Sequence, residues 1–463
     1  MSNKRIYLCL AHMSESGMEQ KYIKEAFDTN WVVPLGPNVN AFEDELRNFV
    51  TDVRSMKEDV RCDLSSKRVV ALASGTAAVH LALLACGVGP GDEVMVQSFT
   101  FCASSHPITY CGAKPVFIGS EKETWNMDPV LLEEAIKDRI AKTGKKPKAI
   151  VPVALYGMPY RIDEIMEIAN RYEIPVIEDA AEGMGSKYNG QVLGTFGRYG
   201  VLSFNGNKMI TTSGGGALIC RNKEEADQVM WLATQARDSY PYYQHTAIGY
   251  NYRMSNICAG IGRGQMTVVN DHIEHHKHVQ ALYEQLLADV KGITVHSQPS
   301  SIIHHPSSII HHPSFDSNFW LCTMTLDPSL KIKGQENAYK EAVKTAVGGA
   351  AGVIHQVDSP TTDCQPNDNV EALRVWMLNK NVECRPVWKP MHKQPVYTEV
   401  ESGELRVESL PNGIIRQTSD KSVAYTKGVE EEIFKVGMCL PSGPCVSDED
   451  VRYIVECIKE AME

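Results

Sequence analysis

Short apolar runs alternate with helical stretches along the first half of the chain, and this alternation restricts the possible folds more than any other feature. The apolar runs that we assign to strands are 68–72, 93–96, 115–118, 149–153 and 175–177. The helical stretches between them are 77–86, 102–111, 128–141 and 161–172. Strand–helix–strand order of this kind builds a mostly parallel sheet that is covered by helices on both faces. The sequence therefore predicts the α/β class.

The length of the chain and a change in its pattern predict two lobes. A chain of 463 residues exceeds the size at which a single hydrophobic core stops growing. The strand–helix pattern loosens after a long helix predicted over about 265–290. We therefore predict an N-terminal segment and large domain over 1–285, followed by a smaller α/β domain over 286–463.

The charge and the cysteine content exclude several functional classes. Asp and Glu (57) outnumber Lys and Arg (46), and the net charge of −11 argues against a surface that neutralises nucleic-acid phosphates. The 13 cysteines are scattered and include no CxxC pair, which favours a reduced, cytoplasmic protein over a disulfide framework or a zinc ribbon. The richest apolar stretch, 69–86, is interrupted by polar residues and is too short for a membrane helix. We expect no nucleic-acid partner and no membrane anchor.

Two histidine-rich segments raise the question of a metal site. The segment 299–305 is repeated without change as 306–312, and His272 and His276 have the i,i+4 spacing of metal ligands on a predicted helix. Two copies are too few for a solenoid, so a tandem duplication in a surface loop explains the repeat better than a histidine cluster does. The helix offers no third ligand, and a solvated helix face explains its histidines. The sequence therefore predicts no metal site.

Small residues between a predicted strand and the helix after it form a candidate anion site. Gly75 and Thr76 lie within the segment 73–78, where the helix begins. Backbone N–H groups and the positive end of the helix dipole bind phosphate at such a position. Turns of this composition are also common without a ligand, so this segment taken alone leaves both interpretations open.

Carboxylates follow a predicted buried strand. Glu178, Asp179 and Glu182 lie at its carboxyl end, where open α/β sheets bind ligands, and buried carboxylates are costly unless they are paired. An aspartate that faces a pyridine nitrogen keeps the ring protonated, and the charged ring then acts as an electron sink. An aspartate that caps the following helix explains Asp179 equally well in isolation.

Lys208 lies between an apolar strand and a glycine-rich turn that ends at Gly216. We expect few charge partners for a lysine in this position, and partial desolvation favours a neutral, nucleophilic amine. Schiff-base chemistry requires that form. A single loop lysine is usually a solvated charge, so the interpretation depends on the order of Lys208 after the phosphate and carboxylate segments.

Taken together, these segments resemble the DegT/DnrJ/EryC1/StrS family of nucleotide-sugar aminotransferases. The resemblance extends from 30–37 to 439–443 and depends on 73–78, 177–182 and 203–216 in this order. It implies fold type I of the pyridoxal-phosphate (PLP) enzymes, similar to aspartate aminotransferase. That fold has a mostly parallel seven-stranded sheet in its large domain and a smaller α/β C-terminal domain. The resemblance also implies PLP as the cofactor and a homodimer with shared active sites.

The resemblance assigns catalytic and ring-binding roles to four residues. Lys208 would hold PLP as a Schiff base, Asp179 would pair with the pyridinium nitrogen, and Phe101 would stack on the ring. Glu182 stands where many members of the family have glutamine, near the phenolic oxygen of the cofactor. A carboxylate accepts hydrogen bonds only, so Glu182 would need a proton or a donor there.

The same resemblance implies a set of phosphate contacts. Gly75, Thr76 and the Ser203 hydroxyl would bind the phosphate within one subunit, and Asn251 would reach across from a second subunit.

Within the family, the chain is most similar to bacterial enzymes that aminate C4 of UDP-4-keto-6-deoxy-GlcNAc, the UDP-N-acetylbacillosamine pathway type. This narrower resemblance is carried by Glu182 and by the segments 203–216, 233–238, 243–245 and 385–392. We expect amino transfer from glutamate to C4 of a UDP-linked 4-keto-6-deoxy-N-acetylhexosamine in amino-sugar or polysaccharide biosynthesis. Each candidate for a substrate contact could equally be a rim charge or a core aromatic. These candidates are Arg237, His245, Trp388 and Lys389.

The sequence also contains departures from this branch and leaves rival functions open. The segments around 333–368 and 403–432 contain more residues than the resemblance to these enzymes leads us to expect. A sister group performs PLP-dependent 3-dehydration of sugars, but its pattern has histidine in place of the Schiff-base lysine, whereas this chain has Lys208. A catalytically idle sensing or structural relative is the other alternative. The intact lysine, aspartate and phosphate segments would then have no explanation.

Overall fold

A computed structural model of the chain describes residues 4–51, 64–300, 302–305, 308–311, 314–339, 364–398 and 405–462. For 302–305 and 308–311 only the backbone is described. The strands of the first half are β1 (Arg68–Leu72), β2 (Glu93–Gln97), β3 (Lys114–Ile118), β4 (Ala149–Val151), β5 (Ile177–Asp179), β6 (Lys187–Tyr188), β7 (Gln191–Val192), β8 (Tyr199–Ser203) and β9 (Gly216–Cys220).

Seven of these strands form one large sheet in the order β3-β2-β4-β5-β8-β9-β1. Parallel bridges between Ile150 and Val176 and between Val153 and Asp179 join its two halves. Only β9 runs antiparallel to its neighbours, so the sheet has the mostly parallel form that the sequence predicts. Successive side chains point to opposite faces: Val94 and Val96 belong to one core and Met95 to the other.

The helices of the first half cover both faces of this sheet. They are α1 (Met18–Asp28), α2 (Pro37–Val50), α3 (Gly75–Ala85), α4 (His106–Tyr110), α5 (Pro129–Thr143), α6 (Ile162–Tyr172), α7 (Lys223–Ala233), α8 (Asn256–Met266) and α9 (Val269–Leu287). Their ends follow from local sequence. The Asp128 carboxylate accepts the Val130 N–H (2.8 Å) at the start of α5, and Gly144 ends that helix in the left-handed conformation (φ 71°) that glycine tolerates.

The second half contains a smaller antiparallel sheet in the order β10-β14-β19-β15. Its strands and the other strands of this half are β10 (Ile293–Val295), β11 (Ile302–His305), β12 (Ser308–His311), β13 (Phe315–Asp316), β14 (Cys322–Leu326), β15 (Arg385–Pro386), β16 (Arg406–Ser409), β17 (Ile415–Thr418), β18 (Val423–Thr426) and β19 (Gly437–Leu440). The helices are α10 (Asp368–Asn379), α11 (Pro395–Thr398), α12 (Val429–Val436) and α13 (Asp448–Ala461). A third core packs this sheet against α9, α10 and α13.

The C-terminal half also extends the large sheet. β16, β17 and β18 form an antiparallel ribbon, and β18 pairs in parallel with β3. The extra segment 403–432 therefore contributes three strands to the edge of the large sheet, and its last residues begin α12. Residues 403–404, and 340–363 of the other extra segment, lie outside the described part of the chain. The boundary between 285 and 286 stays a prediction.

The long helix predicted over about 265–290 is confirmed as α9, Val269–Leu287, whereas a local prediction near the N-terminus is wrong in detail. The spacing of Ser16 and Glu19 predicts a capping box, but α1 begins after Gly17 without a side-chain cap. Glu19 instead accepts hydrogen bonds from the Ser14 N–H (2.9 Å) and hydroxyl (2.6 Å). Gly17 adopts a left-handed conformation, which turns the chain so that Ser14 faces the carboxylate.

The histidine-rich segments have backbone partners. The two copies of the repeat pair with each other as the hairpin β11–β12, with Ile302 opposite His311. On α9, the prediction of a solvated face is wrong for His272 and His276, because both are buried. Their ring nitrogens contact the carbonyl oxygens of Met209 (3.1 Å) and Phe319 (3.2 Å). Within the described ranges no group of three side chains is arranged to hold a metal ion, and no described helix is long and apolar enough to cross a membrane.

Candidate active site

The N-terminus of α3 and the carboxyl end of β8 form one side of the candidate site. α3 begins at Gly75 because the Ser74 hydroxyl accepts a hydrogen bond from the Ala77 N–H (3.0 Å). A Cβ atom on Gly75 would lie 3.0 Å from Ser203 Cβ, so glycine lets the helix N-terminus approach β8 without displacing Ser203. The structure therefore brings the three residues predicted to bind phosphate within one subunit, Gly75, Thr76 and Ser203, to the same place.

Asp179 ends β5, and its buried carboxylate is held by two donors. The Ser104 hydroxyl donates to Oδ2 (2.6 Å) and the Ala181 N–H donates to Oδ1 (3.1 Å). The Ser104 hydroxyl also contacts that of Thr100 (2.8 Å). Burial raises the pKa of Asp179, while the Ser104 hydrogen bond, the Ala181 N–H and the positive charge of Lys208 act in the opposite direction. The orientation of the carboxylate is thus fixed, and the two described donors that bond to it are both neutral.

Lys208 has a specific charge partner, contrary to the expectation from sequence. Its Nζ lies 3.1 Å from Glu182 Oε1, and the two side chains are 11% and 4% exposed. The Tyr156 N–H donates to the other oxygen, Oε2, at 2.8 Å. The pairing was missed because Glu182 follows β5 and Lys208 follows β8, and these strands become neighbours only in the folded sheet.

An aromatic wall, defined as Phe101, Trp388 and Trp320, lies beside Lys208. The ring centroids of Phe101 and Trp388 are 5.5 Å apart, and those of Trp388 and Trp320 are 6.4 Å apart. Lys208 Nζ lies 3.9 Å from the Trp320 ring centroid, close enough for a cation–π interaction. Tyr156 fixes the position of Trp388 in this wall, since its hydroxyl accepts a hydrogen bond from the Trp388 N–H (2.9 Å).

The presence of Trp320 in the site was not predicted from the sequence, because Trp320 belongs to no local motif. It reaches the site because Asn318 anchors the preceding turn: the Asn318 amide donates to the carbonyl oxygens of Glu182 (2.8 Å) and Met184 (2.9 Å). The indole N–H of Trp320 then donates to the Asn207 carbonyl (2.6 Å), directly before Lys208. Ser104 was missed for a similar reason, because its partner Asp179 is distant in the chain.

The predicted substrate residues fall into two groups. Trp388 lies in the aromatic wall, and the next residue, Lys389, is half-buried. Arg237 and His245 lie on the exposed segment after α7, where they pair in a β-bridge. Asn251, the predicted phosphate contact from a second subunit, lies on the same segment and is also exposed. None of the contacts found for these three residues within the described part of the single chain involves the Lys208 site. The structure therefore does not bring them together with Lys208.

A separate cavity of about 640 Å³ lies at the opposite edge of the large sheet. It is lined by the amino ends of β2 and β3 together with side chains such as His106, Tyr110 and Tyr397. The candidate site lies at the carboxyl ends of the strands, as expected for open α/β sheets. The cavity contains none of the predicted site residues.

The arrangement fits PLP, the cofactor that the family resemblance implies. The cradle at Gly75, which a Cβ would fill, suits a phosphate at a helix N-terminus. Asp179 is a buried carboxylate that lacks a directly bonded cation, and the charge of a pyridinium nitrogen would complete its environment. Lys208 supplies an amine within electrostatic range of Asp179.

Replacing Ser104 with alanine should weaken PLP binding about tenfold. The hydroxyl stabilises the charged form of Asp179, and a hydrogen bond to a charged group contributes about 1.5–3 kcal/mol, part of which the remaining Ala181 N–H compensates. Titration of the apoprotein with PLP, followed by absorbance, measures the change. Ser105→Ala is the matched control, because the Ser105 hydroxyl contacts Cys102 and Tyr397 and not Asp179. Equal losses in the two variants would contradict the role given to Ser104.

Comparisons with known proteins place the chain in one family. Residues 14–323 match the DegT/DnrJ/EryC1/StrS aminotransferase family. EpsN of Bacillus subtilis (strain 168), which bears the name of a pyridoxal phosphate-dependent aminotransferase, is 37% identical over 460 residues, with 98% of this chain and 95% of EpsN covered. GDP-perosamine synthase of Escherichia coli O157:H7 is 30% identical over 456 residues, with 98% of each chain covered.

Solved structures agree on the fold. A DegT DnrJ EryC1 StrS aminotransferase from Brucella abortus superposes with a TM-score of 0.73 at 23% identity, covering 96% of this chain and 95% of that one. Spr1654 from Streptococcus pneumoniae, which bears the name of a sugar aminotransferase, gives in its PLP-form a TM-score of 0.74 at 20% identity, covering 99% of this chain and 98% of that one. The predicted fold type I is confirmed.

Proposed function

Because the chain belongs to the DegT/DnrJ/EryC1/StrS aminotransferase family, we propose that it moves the amino group of glutamate to C4 of a UDP-linked 4-keto-6-deoxy-N-acetylhexosamine. Membership makes the chain a PLP-dependent sugar aminotransferase. The finer assignment is supported by the resemblance of 385–392 and neighbouring segments to enzymes that aminate C4. One observation carries the amino-transfer activity itself: the buried Lys208 amine lies within electrostatic range of the buried Asp179 carboxylate at the carboxyl edge of the sheet.

PLP, when bound, supplies a carbonyl carbon that carries the amino group between two substrates and a ring that withdraws electrons. In our proposal Lys208 would hold PLP through that carbon, and Asp179 would pair with the ring nitrogen and keep it protonated. Gly75, Thr76 and Ser203 bind the phosphate through the α3 N-terminus and the β8 hydroxyl. Phe101, which is 53% exposed, offers its face for stacking on the ring.

We assign the proton transfers to Lys208. Its amine takes the proton from Cα of glutamate and later delivers a proton to C4 of the sugar, which makes it both general base and general acid. The aromatic wall beside the amine excludes water, because Trp320 covers one side of Nζ. The rigid Asn207 carbonyl, held by the Trp320 indole, limits how far the lysine turn can shift between the two half-reactions.

A GDP-linked 4-keto-6-deoxy sugar is a second candidate substrate. Its support is the relative named GDP-perosamine synthase, which aligns with almost the entire chain. Both candidates share a ketone at C4 and differ in the nucleotide. The nucleotide contacts that we propose are Arg237, His245, Trp388 and Lys389.

The test offers glutamate with UDP- and GDP-linked 4-keto-6-deoxy sugars and with 3-keto nucleotide sugars, and identifies products by mass and proton NMR. We expect a C4 amino sugar from the UDP-linked N-acetylhexosamine and release of 2-oxoglutarate. Amination of the GDP-linked sugar alone would favour the second candidate. A dehydrated product would favour a PLP-dependent sugar dehydratase. No turnover at all would favour a catalytically idle sensing or structural protein.

We also propose a homodimer, located in the cytoplasm, in which Asn251 completes the phosphate site of the partner subunit. The exposed positions of Asn251, Arg237 and His245 support this proposal, since they lie apart from the Lys208 site of their own chain. Mixing inactive Lys208→Arg and Asn251→Ala subunits should restore up to about a quarter of wild-type activity, because half of the reassorted dimers contain one intact shared site. A mixture that stays inactive would contradict sharing.

A further inference from the structure

Glu182 and Lys208 form a buried pair that the proposed mechanism does not yet use. The 3.1 Å distance between Oε1 and Nζ is that of a direct hydrogen bond. Both groups are inside the site and not on its rim, with Glu182 4% exposed. A proton can therefore move between the two atoms without passing through bulk water.

The second oxygen of Glu182 is held so that the first stays aimed at Lys208. The Tyr156 N–H donates to Oε2 at 2.8 Å, and it points there because Tyr156 adopts a left-handed backbone conformation (φ 53°). The Tyr156 hydroxyl is fixed in turn by the Trp388 N–H. A non-glycine residue keeps such a conformation only where its surroundings impose it, so the orientation of the carboxylate is built into the fold.

Several ionisable groups face the pair. Burial raises the pKa of Glu182 to about 7, against the lowering effects of Lys208 and the Tyr156 N–H, and the charge of Asp179 adds to the rise. The Tyr156 phenol and the Cys439 thiol also lie within electrostatic range, and burial raises both of their pKa values. Burial also raises the pKa of the Cys9 thiol, which lies within electrostatic range of Lys208, to about 12. These three groups therefore stay neutral near pH 7, whereas the pKa of Glu182 lies in this range.

We propose that Glu182 accepts the proton that Lys208 must give up before its amine attacks a carbonyl carbon, and that it returns this proton when Lys208 is released. The inference rests on the proposed role of Lys208. In the forward step an N–H bond breaks and an Oε1–H bond forms, which leaves a lone pair on the nitrogen. The amine then bonds to the carbonyl carbon, and the carbonyl oxygen leaves as water with the two remaining amine protons.

The free-energy cost of this proton transfer is low in a buried site, because the transfer removes charges. An ammonium beside a carboxylate becomes an amine beside a carboxylic acid, so two desolvated charges disappear and none is created. Glutamine at this position keeps the size and the hydrogen-bonding oxygen but cannot take up a proton. Glu182→Gln is therefore an isosteric test of proton acceptance.

The experiment mixes apoprotein with saturating PLP and follows the limiting rate of covalent attachment by absorbance. Borohydride trapping and mass analysis identify the peptide that carries Lys208. The rates of wild type and Glu182→Gln are compared between about pH 5.5 and 8.5, a range over which a general base near neutral pKa changes state. Glu182→Asp, which retains a titratable carboxyl group, is the conservative companion.

The expected ratio of wild-type to Glu182→Gln rates is close to one below about pH 6, where Glu182 already holds a proton. The ratio rises to about tenfold or more above pH 8, where the carboxylate can accept one. Because PLP titrates identically in both reactions, its own ionisation cancels from the ratio. Glu182→Asp should be slower than wild type and keep the pH-dependent advantage over Glu182→Gln.

A ratio that stays constant across this pH range would overturn the role of Glu182 while leaving that of Lys208 intact. Failure of the wild-type protein to attach PLP would instead refute the proposed function. If Glu182→Gln does not fold, a Glu182→Asp rate that loses its dependence on pH near 7 overturns the inference equally.

Discussion

Arginine in place of Lys208 should leave a folded protein that neither holds PLP covalently nor transfers an amino group. A guanidinium group stays protonated at any accessible pH, so it can neither bond to a carbonyl carbon nor take a proton from Cα of glutamate. We expect turnover to fall by about four orders of magnitude or more, as when the nucleophile of a covalent mechanism is removed. The positive charge is retained, so Glu182 keeps a counter-ion and the fold is preserved.

The measurements for Lys208→Arg are the visible absorbance of bound PLP, borohydride trapping and turnover with glutamate. Lys223→Arg is the matched control, because Lys223 lies on the exposed face of α7 and pairs only with Asp227 among the ion pairs found. That control should behave as wild type. Retained turnover in Lys208→Arg would refute the assignment of the site.

The sequence could predict the parts of the site that local chemistry dictates. Asp179 and Ser203 end strands of the large sheet, and Gly75 and Lys208 follow such strands. A parallel sheet brings the carboxyl ends of its strands to one edge. Their order along the chain is therefore enough to predict that they meet. The same argument predicts that the active site lies at the carboxyl ends of the parallel strands.

The sequence could not predict the contacts that depend on packing between distant segments. Trp320 reaches Lys208 because Asn318 is anchored by the Glu182 carbonyl, and Ser104, which follows β2, donates a hydrogen bond to Asp179 at the end of β5. Neither residue is part of a spaced motif. The pairing of β18 with β3 was missed for the same reason, because a strand at 423–426 gives no local sign that its partner lies at 116–118.

Asparagine in place of Asp179 should lower turnover without lowering the stability of the apoprotein. An amide does not hold the proton of the ring nitrogen, so the ring loses its strength as an electron sink. We expect turnover to fall by about a hundredfold to a thousandfold, the size of effect seen when one preorganised electrostatic partner is removed. The covalent link to Lys208 is untouched, so the variant should still trap PLP with borohydride.

The stability of the Asp179→Asn apoprotein follows from the sign of the pKa shift. Folding raises the pKa of Asp179 above its usual value, so ionised Asp179 makes the apoprotein less stable at every pH above that value. Asparagine removes this cost and keeps an oxygen for the Ala181 N–H. The Tm of the apoprotein should therefore stay the same or rise, while the increase in Tm on adding PLP should shrink because affinity is lost. A lower apoprotein Tm together with an unchanged PLP-induced shift would mean that Asp179 serves the fold and not the cofactor.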